Sequence, residues 1–285
     1  MVDLTGKNII VTGGGRGLGR AYSMAIARAG ARVVVNDIDA DVAHAVAEEI
    51  RDEGNDATAD AGSVTDWAYA ERLVGNALDR GPLDGIVLNA GVFQIARPDT
   101  EDEQRLRRIT EVNVLGPLFC GTHALRAMYR QGAGVVVTVT SGALFAALPW
   151  MAAYGATKGA IAALTWNWAL DSAPHGVRVN GIAPLGDTRM LDVGRTTDWV
   201  QRPPVYEEGF PLPQPEDVAP IAVYLLSDQA DFTGQIVRFE GWALGLMPRP
   251  AYVEEVIRDS WTADEIAAEF DGHLRAGCDV VTGPS

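Results

Sequence analysis

From Asn8 to Glu240 the chain alternates short, wholly apolar runs with longer stretches in which apolar residues recur at helical spacing. Asn8-Ile9-Ile10-Val11, Arg32-Val33-Val34-Val35 and Val135-Val136-Val137-Thr138-Val139 show no polar alternation. Each therefore predicts a strand covered on both faces, as in a parallel sheet with helices on either side. Runs at residues 57–61, 84–88, 177–182 and 235–240 bring the predicted set to about seven strands. Helical spacing predicts helices at residues 17–29 and 41–53, after Ser63-Val64-Thr65-Asp66, behind Thr100, from Trp150 to Asp171, and at 216–226. Thr100-x-x-Glu103 has the form of a capping box, in which hydroxyl and carboxylate satisfy each other's free backbone N–H groups. Strict alternation of strand and helix predicts one doubly wound α/β domain over residues 1–246. From Gly241 onward the pattern identifies no further strand, and residues 247–285, with a helix capped by Thr262-x-x-Glu265 and running to about Leu274, are read as a C-terminal helical extension. The stretch 185–215 is Pro-rich and aperiodic. With Trp199, Tyr206 and Phe210 it suits a loop over an apolar substrate, although aromatics there also serve ordinary packing.

Chemistry gathers at the strand ends. Thr12-Gly13-Gly14-Gly15-Arg16-Gly17-Leu18-Gly19 joins the first strand to the first helix. A strand, a glycine-rich turn and a helix N-terminus point free N–H groups at a pyrophosphate, and glycine permits the close approach. Gly13, Arg16, Gly17, Leu18 and Gly19 are the candidate phosphate-side contacts. Asp37 ends the second strand about 20 residues further on, where a carboxylate accepts hydrogen bonds from an adenosine ribose and repels a 2′-phosphate. That favours NAD, while Arg16 pulls toward NADP. A turn-closing aspartate is the plainer reading of Asp37. Asn89-Ala90-Gly91 follows the fourth strand with residues small enough for a ribose to meet backbone, or for a simple turn.

The fifth strand ends at Ser141, and the helix after it carries Tyr154 and Lys158, four residues apart and hence on one face. A hydroxyl, a phenol and an ammonium suit proton exchange with an alcohol oxygen. A free phenol, with a pKa of about 10, is a poor base near neutrality. A fixed ammonium favours the phenolate, as does the positive charge of an oxidised nicotinamide. Ser141 would orient the substrate oxygen. Lys7 and Lys158 are the only lysines of a chain that otherwise uses Arg, so the ammonium at 158 is not an arbitrary surface choice. A coincidental Tyr/Lys pair on a solvated face is the competing reading. Asn113, between Val112 and Val114, falls where a buried amide needs a partner. A water beside Lys158 is one choice and a satisfied core amide the other.

A net charge of −15 argues against general nucleic-acid or anionic-membrane binding. No apolar run reaches the roughly 18 residues of a membrane span. Cys120 and Cys278 are far apart and form no CxxC, which fits a reducing cytosol. His44, His123, His175 and His273 lack metal-ligand spacing, so no metal is expected. A strand beginning so soon after Met1 leaves no room for a leader. The expected location is the cytoplasm.

In order and spacing, Thr-Gly-x-x-x-Gly-x-Gly at 12–19, Asp37, Asn-Ala-Gly at 89–91, Asn113, Ser141 and Tyr-x-x-x-Lys at 154–158 resemble the short-chain dehydrogenase/reductase family, over residues 4–246. The resemblance implies a single Rossmann domain and hydride transfer between NAD(P) and an alcohol or ketone. It implies Tyr154 as acid/base, and Lys158 lowering its pKa and holding the nicotinamide ribose. Ser141 would position the carbonyl or alcohol, and Asn113 would hold a water that links Lys158 to solvent. Ser63, Val64, Pro184 and Thr188 join the implied cofactor contacts. The chain departs from the family at Leu88, where an Asn is frequent, and at Ser63, where an Asp commonly meets adenine. Thr188 also comes one residue early after Pro184-Leu185. This shortened loop is similar to that of the hydroxyacyl-CoA dehydrogenase domains of multifunctional β-oxidation enzymes, which suggests a 3-hydroxyacyl thioester. Steroid and terpenoid alcohols are equally compatible. An NADPH-dependent 3-oxoacyl or carbonyl reductase is the alternative, and a non-catalytic nucleotide sensor a third reading. The helix carrying Ile161, Leu164, Trp166, Trp168 and Leu170 is apolar round much of its circumference. In the family it packs between subunits, so a homotetramer is expected.

Overall fold

Strands β1 (Asn8–Val11), β2 (Arg32–Asp37), β3 (Asp56–Ala61), β4 (Gly85–Leu88), β5 (Gly134–Val139), β6 (Val177–Pro184) and β7 (Ile236–Phe239) pair in parallel. An eighth, β8 (Leu244–Met247), lies antiparallel to β7. The order across the sheet is β3-β2-β1-β4-β5-β6-β7-β8. These elements come from a computed structural model of the chain, which describes residues 2–144, 149–188, 212–251, 256–272 and 274. The doubly wound α/β architecture expected from the pattern is present, with one strand more. β8 left no signature in the sequence for two reasons. Gly241, at φ +72°, turns the chain back on itself, with Glu240 N–H donating to Ala243 O at 3.0 Å. Of the four residues in β8 only Met247 is buried, so no alternation appears.

Helices α1 (Gly17–Arg28) and α2 (Ala40–Asp52) cover one face of the sheet, and α3 (Trp67–Leu78) and α5 (Gly116–Gln131) the other. The pleat explains the unbroken apolar runs. Val33, Val35, Val135, Val137 and Val139 enter one core, while Val34 and Val136 enter the opposite one. Each such side chain, fully buried, contributes about 1.5–3 kcal/mol.

The long helix expected behind Thr100 is three pieces: α4 (Glu103–Thr110), a wide π turn at Glu111–Leu115, and α5. Its cap is Asp102, whose carboxylate accepts from Arg105 N–H at 2.9 Å. Thr100 lies instead in a 3₁₀ turn, Pro98–Thr100, and makes no capping box. Helix α6 (Ala152–Ser172) carries the Tyr/Lys pair. The segment read as one helix at 216–226 is split into α7 (Pro215–Val218) and α8 (Pro220–Leu226), since Pro220 has no N–H to continue the ladder.

The winding reverses between β1 and β4, where α/β sheets hold ligands beyond the strands' carboxyl ends. Val11 is level with both Val35 and Val87, so the chain leaves β1, β2 and β4 at one height.

The chain divides into two compact units, Met1–Met247 and Pro248–Ser285. In the second, α9 (Ala263–Gly272) is capped as expected: Thr262 Oγ1 accepts from Glu265 N–H at 3.3 Å, and Glu265 Oε2 from Thr262 N–H at 2.8 Å. The predicted substrate loop, with Trp199, Tyr206 and Phe210, and the tail past Leu274 fall outside the described residues, apart from the loop's ends at 185–188 and 212–215.

Candidate active site

At the exit of β1 the Thr12 hydroxyl donates to Val87 O at 3.2 Å and accepts from the N–H groups of Asn89 at 3.0 Å and Ala90 at 3.2 Å. The Asn89 amide donates to the carbonyls of Thr12 and Gly13, both at 3.1 Å. Its side chain thus holds the glycine loop in place, while the small residues beside it leave room at the loop. Gly13, at φ +61°, has no space for a side chain: a Cβ would stand 2.8 Å from Ala90 Cα. One on Gly19 would overlap the Gly13 carbonyl. Gly17, at φ +52°, faces the Thr188 methyl, and Gly186 packs beside Leu18.

Arg16 stands at the N-cap of α1 in extended backbone, without a side-chain cap bond, and the first turn holds no acidic residue. The free N–H groups there and the positive end of the helix dipole suit an anion. Together with a cradle that admits no Cβ, they fit the pyrophosphate of a dinucleotide. The Arg16 guanidinium is paired with Asp39 at 2.6 Å. Asp37 accepts from Gly15 N–H at 3.1 Å and Asp39 N–H at 3.2 Å. It therefore closes the turn and still has lone pairs to spare for a ribose. Ser63 is engaged with the Thr65 hydroxyl at 2.8 Å, and Val64 is buried against Gly116. Pro184 ends β6 opposite Phe239.

The catalytic candidates lie one step away. Gly91 bridges the two groups: a Cβ there would stand 3.4 Å from Asn113 Oδ1. Asn113, at the middle of the π turn, accepts from Val92 N–H at 2.8 Å and donates to Val92 O at 2.9 Å and Thr157 Oγ1 at 3.2 Å. Three protein partners thus engage the Asn113 amide. Lys158 donates to Val139 O at 2.8 Å, and its Nζ is 5.7 Å from the centre of the Tyr154 ring. Tyr154 packs edge-on against Phe93, with ring centres 4.8 Å apart, in an apolar cluster with Ile109 and Met151. Ahead of α6, Trp150 takes a left-handed φ of +61°, and its carbonyl accepts from Ala96 N–H at 3.0 Å.

Burial pushes the Tyr154 phenol up to about 12, against the opposing pull of its hydrogen bond with Ser141. Burial also brings Lys158 down to about 8. Loss of hydration is the larger influence on the phenol and outweighs its hydrogen bond with Ser141. Lys158 remains charged at neutrality.

Ser141, Tyr154, Lys158 and Asn113 are thus brought together beside the glycine cradle. Thr12 and Thr157 lie inside the glycine and Tyr-x-x-x-Lys motifs without any spacing to single them out, and Val92, Phe93 and Ile95 form an apolar wall beside Tyr154. That wall follows Asn-Ala-Gly without any periodicity to mark it.

Residues 7–197 match the family model described as short chain dehydrogenase. A short chain dehydrogenase from Mycobacterium avium superposes with a TM-score of 0.83 at 32% identity, covering 96% of both chains. Gluconate 5-dehydrogenase from Burkholderia cenocepacia J2315, in complex with NADP and tartrate, gives 0.77 at 30% identity, over 84% of this chain and 96% of the other. A 7α-hydroxysteroid dehydrogenase complexed with NADH and 7-oxo glycochenodeoxycholic acid gives 0.76 at 34%, over 85% and 95%. The chain belongs to the short-chain dehydrogenase family. It is an NAD(P)-dependent oxidoreductase that interconverts alcohols and ketones.

Proposed function

We propose that the chain is an NAD-dependent dehydrogenase of apolar secondary alcohols: a 3-hydroxyacyl thioester, a steroid or a terpenoid alcohol. The observation that carries this reading is the contact series from the glycine cradle through Ala90 and Gly91 to Asn113, Thr157 and Tyr154. The bound nicotinamide would supply the hydride acceptor or donor. Gly13, Gly17, Leu18, Gly19 and Thr188 would hold its phosphate side, Asp37 the adenosine ribose, and Tyr154 and Lys158 the second ribose. Tyr154, as phenolate, takes the hydroxyl proton during oxidation and returns it during reduction. Ser141 holds the same oxygen in line. Lys158 keeps a positive charge beside the phenol, and Phe93, Met151 and Ile109 exclude water from it. An apolar wall suits a substrate whose body is hydrocarbon.

NAD is favoured because the Asp37 carboxylate lies beside Gly15 while the nearby cation, Arg16, is neutralised by Asp39. The NADP bound by the Burkholderia relative keeps the NADPH-dependent reductase as the second reading. Initial rates with NAD and NADP at equal concentration, over cyclohexanol, 3-hydroxybutyryl-CoA and a hydroxysteroid, test both points. The expected result is turnover of at least one of these alcohols with a clear preference for NAD. A preference for NADP would reverse the Asp37 argument, and tight cofactor binding without any turnover would revive the sensor.

In the same reading residues 1–246 are the catalytic domain, 247–285 an accessory extension, and the acidic chain works in the cytoplasm. A homotetramer is proposed through α5 and α6, which leave a groove of about 390 Å³ lined by Val114, Leu118, Ala160, Ala163 and Leu164. Leu170, 64% exposed, lies on the same helix. Trp166 packs against the chain's own core, while Ile161 and Trp168, buried or packed on a core themselves, also line the groove. Multi-angle light scattering should give four chains per particle; a monomer would refute the assembly.

A further inference from the structure

We infer that Thr157 is a positioning residue for Tyr154, closing a circuit of contacts that fixes where the phenol sits. The inference rests on the reading of Tyr154 as the proton-transfer group. The Thr157 side chain is buried, with 5% of its surface exposed. Its hydroxyl has one proton to give and lone pairs to receive, and uses both. It donates to Tyr154 O at 2.8 Å and accepts from Asn113 Nδ2 at 3.2 Å. Asn113 in turn grips both backbone groups of Val92, at 2.8 and 2.9 Å. The next residue, Phe93, lies edge-on to the Tyr154 ring, 4.8 Å from centre to centre at 80°. The path leaves the Tyr154 backbone and returns to its ring, so backbone and ring are held from two sides.

A threonine bonding back to a carbonyl one turn earlier is ordinary in helices. What sets Thr157 apart is its second bond. Its partner stands at the centre of the π turn Glu111–Leu115, and such turns concentrate at functional sites. Of the residues in the circuit, Thr157 alone ties α6 to that turn through a side-chain hydroxyl. Serine at 157 keeps both bonds. Valine keeps the shape and loses both.

Thr157→Val, Thr157→Ser and Tyr154→Phe are to be compared with the parent, using NAD and whichever of cyclohexanol, 3-hydroxybutyryl-CoA or a hydroxysteroid the parent oxidises fastest. Small misplacements of a reacting group cost up to about a hundredfold in rate. Thr157→Val is therefore expected to lower kcat by about ten- to a hundredfold with KM for NAD unchanged, and Thr157→Ser to stay near the parent. Should the valine variant not fold, Thr157→Cys replaces it, with a thiol of similar size and weaker hydrogen bonding, and the same direction is expected. Parent-like kcat in the valine or cysteine variant overturns the inference. So does an equal loss in the serine variant, or a loss that falls on KM for NAD instead of kcat. Retained turnover in Tyr154→Phe, or a parent that oxidises none of the three alcohols, removes the reading beneath the inference and the inference with it.

Discussion

Tyr154→Phe is expected to lower turnover by about a thousandfold or more while still binding NAD through the glycine cradle, Asp37 and Lys158, as loss of a general acid–base can do. The ring contact with Phe93 survives the change, and only the hydroxyl, with its Ser141 hydrogen bond, is lost. Rate assays beside calorimetric titration with NAD would separate chemistry from binding. Retained turnover would show that another group moves the proton. The pH profile carries a second sign. Burial holds Tyr154 near 12, so the phenolate needed for oxidation grows with pH across the neutral range. Lys158, brought down to about 8, loses its charge above that point and with it the support for phenolate. Oxidation should therefore rise with pH and then bend over, whereas reduction, which needs the neutral phenol, should be favoured at lower pH.

Gly19→Ala is expected to cripple dinucleotide binding and lower stability by about 1–3 kcal/mol, the usual range for overpacking. The added carbon would overlap the Gly13 carbonyl and come within 2.6 Å of Asn89 Nδ2. Relief requires the loop to open away from Asn89, which removes the shape that receives a phosphate. Affinity for NAD should fall at least about tenfold, which corresponds to roughly 1.4 kcal/mol. Gly75→Ala in α3 is the control, since nothing lies within 4 Å of the new carbon. It should raise thermal stability by up to about 1 kcal/mol, through helix propensity alone, and leave NAD binding unchanged. Equal NAD affinity in the two variants would show that the Gly19 contact does not shape the cradle.

The strands and the loop after β1 were legible because burial on both faces writes itself as unbroken Val and Ile, and because close approach demands glycine. Tyr154 and Lys158 were legible through helical spacing. Hydrogen bonding decides what was not. Thr100 and Asp102 both precede an acidic helix start, and nothing in composition says which carboxylate or hydroxyl will reach a free N–H. The wide turn around Asn113 is a hydrogen-bond shift within an apolar helical stretch and leaves the residue pattern unchanged. The phenol's high pKa is likewise invisible in sequence. Proximity of Lys158 could be inferred from spacing, but loss of water and the capture of its ammonium by Val139 O could not.

The interleaved strand order has one more consequence. Residues 12–19, 37, 89–91, 113, 141 and 154–158 reach a common margin only after β4 has slotted between β1 and β5. No single strand–helix–strand unit carries the whole margin, so affinity for the dinucleotide would report on assembly of the sheet from β1 to β5 with α6 beside it. Saturating ligand should correspondingly oppose global unfolding, through mass action rather than by bracing one local segment.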